Sequence, residues 1–251
     1  MDLVTYKNDV WGREVILGAS WDLLWVVIVA AFVVIAVHAI TQANSKQVKN
    51  PSSEGKRISR HDATDRIFHW IMAVTFFVLL ITGVFPIIGI EFSWLTVHWV
   101  AGLVLTVSIV FHIVRSLFWQ DLKSMWISAK DLREPFDESQ KPGKYSLAQK
   151  AMHATVTVLT LLVIGSGLAM FAMIDTPWWE RTNSLSEATL GWVFLIHGLS
   201  TLALIGVISL HVYFGLRPEK LFYTRSMIKG WISEDELKAN HDPQEWPKDS
   251  A

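Results

Sequence analysis

Nine histidines stand in a 251-residue chain that has no cysteine. Six of them, His69, His98, His112, His153, His197 and His211, lie in or at the ends of long apolar stretches. His98 and His112 are fourteen residues apart, and so are His197 and His211. Fourteen helical steps return a side chain to within ~40° of the same face, ~21 Å farther along the axis. That separation suits two cofactors held at two depths of one bilayer, whose apolar core is ~30 Å thick. Ionisable side chains are expensive at such depths and read as functional. Neutral imidazole is a good iron ligand, and two on facing helices hold a low-spin haem suited to electron transfer. Without cysteine there are no disulfides, no thiolate-held iron–sulfur clusters and no haem attached through Cys-x-x-Cys-His.

The elements that must position these rings are spanning helices. Hydrophobic residues make up 51% of the chain, and they are bunched into five stretches long enough to cross a bilayer: Trp21–Ala43, Ile67–Ile88, Leu95–Trp119, Leu147–Ile174 and Thr189–Leu216. Of 22 Lys and Arg, all but Lys7, Arg13 and Arg181 fall in 44–66, 115–150 and 217–251. The positive-inside rule then puts the N-terminus outside and the C-terminus in the cytoplasm. Trp21, Trp25, Trp94, Trp119, Trp178 and Trp179 sit near helix ends, as an interfacial belt does. The first apolar run begins only near Trp21, without the short basic region of a signal peptide, so it reads as a retained anchor. The expected fold is an all-α integral membrane protein: a four-helix haem-binding bundle plus one extra N-terminal transmembrane helix. Residues 1–45 form the anchor with its outer segment, 46–65 a polar cytoplasmic linker, and 66–251 the bundle with a cytoplasmic tail.

The bundle reads as two copies of one hairpin. His69 lies four residues after Asp65 and fourteen before Gly83, which Thr82 precedes. His153 lies four after Gln149 and fourteen before Gly167, which Ser166 precedes. Each copy is followed by a helix carrying a fourteen-spaced pair. Gly83, Gly102, Gly167 and Gly198 suit either close helix packing or clearance for a flat macrocycle. The topology makes His98 and His197 neighbours near the outer face, the ligands of an outer haem. At the inner end His69, His112, His153 and His211 all compete; spacing alone favours His112 with His211 and does not settle the matter.

From Arg66 onward the chain resembles the cytochrome b (gamma) subunit of membrane-bound formate dehydrogenases and related nickel–iron hydrogenase and molybdoenzyme cytochromes. The matching residues are Asp65, Arg66, His69 and Trp70; His98 with Gly102; Gly143, Lys144 and Tyr145 leading to Gln149 and Lys150. They continue through Ile196 and His197, His211 and Tyr213, Ser226 with Gly230, and His241 with Pro243. The resemblance covers about three quarters of the chain, and what carries it is the ordered set. It implies two haems b, the outer held by His98 and His197 and the inner by His69 and His211, with His112 as the alternative inner ligand. His112 and His153 otherwise read as hydrogen-bond partners of a propionate or quinone, or as packing positions. Arg66 and Arg115 are candidate propionate partners, or snorkel to the interface. The loop Gly143–Gln149, with Tyr145 and Ser146, is where the family binds quinone, and Ser146 replaces the Asn of the best-known relatives. Asp62 and Asp65 read as a helix start with favourable dipole interaction, or as proton donors to that site.

The implied function is that of an electron-transfer subunit in a prokaryotic cytoplasmic (inner) membrane. Its partners would be an iron–sulfur subunit with a molybdenum/tungsten or nickel–iron catalytic subunit outside, and menaquinone or ubiquinone near the inner face. No nucleic-acid partner is expected. Trp21–Ala43 holds one histidine, His38, and need not pack inside the haem-bearing core; it is expected to dock the partner, with Met1–Ser20 touching it, or else to be a lipid-facing stop that only fixes topology. The rival reading is a membrane anchor for assembly with mainly structural haem. A metal-ion transporter lacks the intramembrane carboxylates usual in cation pathways.

Overall fold

A computed structural model describes residues 2–43, 52–120, 122–137 and 140–246. Of the expected linker, 46–51 lies outside the described residues. Among the described residues, five helices are long and apolar enough to cross a membrane: α1 Leu23–Ala43, α2 Ala63–Val84, α3 Trp94–Trp119, α4 Leu147–Phe171 and α5 Glu187–Leu216. The protein is an all-α integral membrane architecture, as the apolar stretches require.

Local chemistry sets the helix ends. Asp62 starts α2 by accepting a hydrogen bond from the Asp65 amide at 2.7 Å, which satisfies one orphan donor of the first turn. That cap sets the start four residues ahead of the apolar run that begins at Ile67. Val84 ends α2 because Pro86 lacks an amide proton and disfavours helical backbone in the residue before it, so the apolar run to Ile88 overshoots. Ser146 and Gln149 form a capping pair at the start of α4: the Ser146 amide donates to Gln149 Oε1 at 3.0 Å. Ser186 caps α5, accepting from the Thr189 amide at 3.2 Å.

Among the described residues, two small antiparallel sheets supplement the helices. Strands β1 (Val4–Asn8) and β2 (Glu14–Ala19) form a hairpin. Asp9 closes its turn by accepting from the amides of Trp11 and Arg13, an arrangement typical of Asp in turns. Strand β3 (Arg57–Ser59) pairs with β4 (Trp231–Ser233). The short helices α6 (Leu221–Lys229) and α7 (Glu234–Asn240) flank β4 in the chain. Gly230 ends α6 with φ +87°, where a side chain would be strained and its Cβ would lie 2.8 Å from the His61 carbonyl.

The chain divides into two compact units, and each long helix contributes residues to both. The first draws on Met1–Ala39, Thr75–Thr106 and Val156–Leu210. Its core joins Leu24, only 2% exposed, to Leu202 and Ile205, with Leu80 and Val84 against them. The first turn of α1 is thus packed, while Phe32, Val33 and Val37 farther along are exposed. The hairpin also lies on α5: Lys7 pairs with Glu187 at 3.1 Å, and Gly191 and Gly198 leave room for Ile16 and Ala19. The second unit draws on Ile40–Val74, Val107–Thr155 and His211–Ala251. Phe222, Ile232, Leu237 and Trp246 form its core.

Candidate functional site

In the first unit α3 and α5 bring His98 and His197 together, with ring centres 6.4 Å apart and planes at 63°. Each ring is oriented by a hydroxyl from a neighbouring helix. Thr82 Oγ1 lies 2.8 Å from His98 Nδ1, and Ser166 Oγ lies 3.0 Å from His197 Nδ1. Each hydroxyl has one proton, and each gives it to its own helix: Thr82 to the Val78 carbonyl at 2.7 Å, Ser166 to that of Leu162 at 2.6 Å. Each oxygen therefore accepts from Nδ1–H, which leaves Nε2 as the free lone pair. The following glycines let the rings lie close: a Cβ on Gly83 or Gly167 would be 3.5 Å from Cε1 of His98 or His197. The internal repeat has a physical purpose here, since both copies place a hydroxyl and a glycine against one imidazole.

In the second unit His69 meets His211 at 6.3 Å between ring centres and 57° between planes. Trp70 stands edge-on to His69. His112 meets His153 at 6.2 Å and 64°, and Phe68 stacks on His112 at 4.4 Å and 8°. The four histidines that compete in the sequence thus make two ring contacts, His69 with His211 and His112 with His153.

Those distances can be tested against a shared iron. Two metal–nitrogen bonds of about 2 Å, plus about 1.1 Å from each nitrogen to its ring centre, give about 6.3 Å across one metal ion. The pairs His98–His197 and His69–His211 fit haem on this measure. A family model described as prokaryotic cytochrome b561 matches residues 60–230. The chain belongs to that family. Membership implies haem b and an electron-transfer role in a membrane.

Named relatives of this cytochrome agree with one another. The cytochrome b556(fdo) subunit of formate dehydrogenase from Escherichia coli K12 is 24% identical over 210 residues, covering 73% of this chain and 90% of the relative. The formate dehydrogenase cytochrome b556 subunit of Haemophilus influenzae is 24% identical over 216 residues, covering 75% and 82%. A probable Ni/Fe-hydrogenase B-type cytochrome subunit of Bradyrhizobium diazoefficiens is 26% identical over 215 residues, covering 69% and 83%.

The other residues singled out in the cytochrome's sequence have protein partners. Arg115 is ion-paired to both Asp62 and Asp65, and Gln120 donates to Asp65 at 2.7 Å. Arg66 donates to the carbonyls of Asp62 and Ile228, at 3.2 and 2.6 Å. Tyr145 neighbours His61, with ring centres 6.4 Å apart, and burial pushes its phenol pKa up. Ser146 Oγ accepts from the Gln149 amide at 3.4 Å, so its own proton is still available to a further acceptor.

One cluster escapes sequence reading. Arg60, 2% exposed, donates to the Lys144 carbonyl at 2.9 Å and lies 3.1 Å from His241 Nε2. Its guanidinium also lies over the ring of Tyr223, 4.6 Å from the centroid. His241 is fully buried; its Nδ1 donates to the Gly143 carbonyl at 2.6 Å, so Nε2 accepts from Arg60 and from Tyr223 Oη. The only prior signal was the pair His241 and Pro243, which revealed no arginine 181 residues away.

Burial, and then the charge of Arg60, hold the His241 pKa down to about 4. Burial followed by Arg60 and Lys144 brings His61 to about 3. A histidine depressed on folding binds its proton first in the unfolded chain, so stability is full above about pH 6.5 and is lost as pH falls towards 4. The melting temperature of the protein, read by calorimetry, is therefore expected to drop steadily between pH 6.5 and 4. His241→Gln should flatten part of that slope. A melting temperature constant across the window would contradict the assignment.

Proposed function

We propose that this chain is the dihaem cytochrome b subunit of a respiratory oxidoreductase complex, carrying electrons between an outer iron–sulfur subunit and quinone near the cytoplasmic face. The observation that carries the reading is the recurrence of one geometry: His98–His197 and His69–His211, each with the ring separation that a single iron requires. When bound, haem b supplies one-electron redox chemistry. The named relatives belong to formate dehydrogenase and Ni/Fe hydrogenase, which favours a molybdenum/tungsten or nickel–iron catalytic partner on the outer side. The positive-inside distribution favours an outer location for the His98–His197 pair and for the hairpin.

The remaining residues take supporting roles. Thr82 and Ser166 hold the ligating tautomer of His98 and His197, keeping Nε2 directed away from its own helix neighbours. Arg66 is the better propionate partner, because Asp62 and Asp65 already balance Arg115. The Ser146 hydroxyl can donate to a quinone carbonyl while its oxygen still caps α4, and Tyr145 lies beside it. Asp62 and Asp65 are both ion-paired to Arg115, which suits a fixed helix cap more than a proton donor.

The test is a quinol mixed with the purified complex in detergent. Reduced ubiquinol or menaquinol analogue should reduce haem in the wild-type chain, and His69→Ala or His211→Ala should abolish that reaction while haem at His98–His197 is still spectroscopically present. Unchanged quinol-driven reduction in both variants would overturn the inner site. Haem that no quinol reduces even in the wild-type chain would favour the rival reading, an assembly anchor with structural haem.

A further inference from the structure

We infer that His112 and His153 are the axial ligands of a further iron porphyrin, additional to the two haems proposed above. Three histidine pairs share one geometry in this chain. The ring centres lie 6.4, 6.3 and 6.2 Å apart, and the planes meet at 63°, 57° and 64°. The His112–His153 pair does not differ from the other two in either measure.

The distance excludes a direct hydrogen bond and stacking between the two imidazoles. A direct N–H···N bond of about 2.9 Å would bring the ring centres to about 5.2 Å, and stacking would bring them closer still. The separation of 6.2 Å is too long for either and fits a single metal atom between two nitrogens. Among the described residues neither ring makes a hydrogen bond, although both stand within apolar spanning helices. A polar ring at that depth without a partner is costly, and ligation supplies the partner.

The class of ligand follows from how little else surrounds the pair. Among the described residues no group of three or more His, Cys, Asp or Glu is placed to hold a metal ion. A bare ion would have two protein donors where a protein site normally provides three or four. An iron porphyrin brings four equatorial nitrogens of its own and needs only two axial ones. Phe68 fixes the plane of His112 by stacking on it, so α2 presents His69 to one pair and Phe68 to the other. The absence of cysteine makes a third group non-covalent and b-type.

The test is haem stoichiometry by pyridine haemochrome on the purified complex, normalised to this chain. Three b haems per copy are expected, falling to two in His112→Ala and in His153→Ala. His112→Met guards against misassembly: it should keep three haems, with one midpoint potential raised, because a thioether ligand favours the reduced state. Two haems per chain that remain two in all three variants would overturn the inference, as a bridging water between the rings predicts, and leave the other two pairs untouched. Two haems falling to one in His112→Ala, with His69→Ala silent, would likewise overturn a third haem, because the inner haem would then be the one held by His112 and His153.

Discussion

His98→Ala and His197→Ala are each expected to remove one b-type haem per chain completely and to stop electron exchange with the outer partner. The rings face each other across 6.4 Å, and a single remaining imidazole cannot give iron two axial protein ligands. The hydroxyls behind them allow a graded version of the same test. Thr82→Val keeps the shape of the side chain but removes the oxygen that accepts from His98 Nδ1. The orienting contact is lost while the ligand stays, and losing such an outer contact costs ~10–100-fold in metal affinity. Ser166→Ala should act likewise on His197. Titration of the apoprotein with haem would read both effects, and an EPR spectrum would show whether the site remains low-spin. His98→Ala with a full haem count and an unaltered spectrum would sink the assignment.

The sequence made this site unusually legible. Repetition of His, a hydroxyl residue and Gly at the same offsets is visible without any structure, and the helical period puts His98 and His112 on one face. Spacing could not reveal that Thr82 and Ser166 touch not the histidine of their own helix but one on the next. That contact depends on packing between helices, which periodicity does not encode. The end that holds the other four histidines shows the same limit. Four histidines at similar depth allow several pairings by spacing, and only the packing of four helices chooses His69–His211 and His112–His153.

What the sequence hid was held together at long range. The β1–β2 hairpin consists of short strands that would be marginal alone; it persists because α5 supplies a glycine-lined surface for it. Arg60 meets His241 through strand pairing between β3 and β4, three residues each, too short to stand out as alternating pattern. The motif residues Ser226, Gly230 and His241 look functional when read as a string. In space Gly230 ends a helix and His241 fills a core, so their first task is to build the lobe that surrounds Arg60.

Gly191→Ala should detach the hairpin from α5. A Cβ at this position would lie 2.0 Å from the Ile16 carbonyl oxygen and 2.8 Å from its carbon. Both are backbone atoms of β2, and Ile16 is paired to Tyr6, so no side-chain rotation relieves the clash and the whole hairpin must move. Gly198 is more forgiving, since its Cβ would lie 3.1 Å from that of Ala19, a contact eased by a small shift. The helix itself gains slightly from alanine, by roughly 1 kcal/mol, so any loss is attributable to the hairpin. Limited proteolysis should cut the segment 4–19 in Gly191→Ala on the order of tenfold faster than in the wild type. Gly165→Ala, whose Cβ meets nothing within 4 Å, should match the wild type. Haem at His98–His197 should be retained, because Thr82 and Ser166 orient those rings independently of the hairpin. Deleting residues 1–45 is a harsher change, since it also removes Leu24 from the core with Leu202 and Ile205, a loss of about 2–5 kcal/mol for a buried leucine. A hairpin as protected in Gly191→Ala as in the wild type would mean that it does not rest on α5 in the membrane, and that the segment is held by the partner instead.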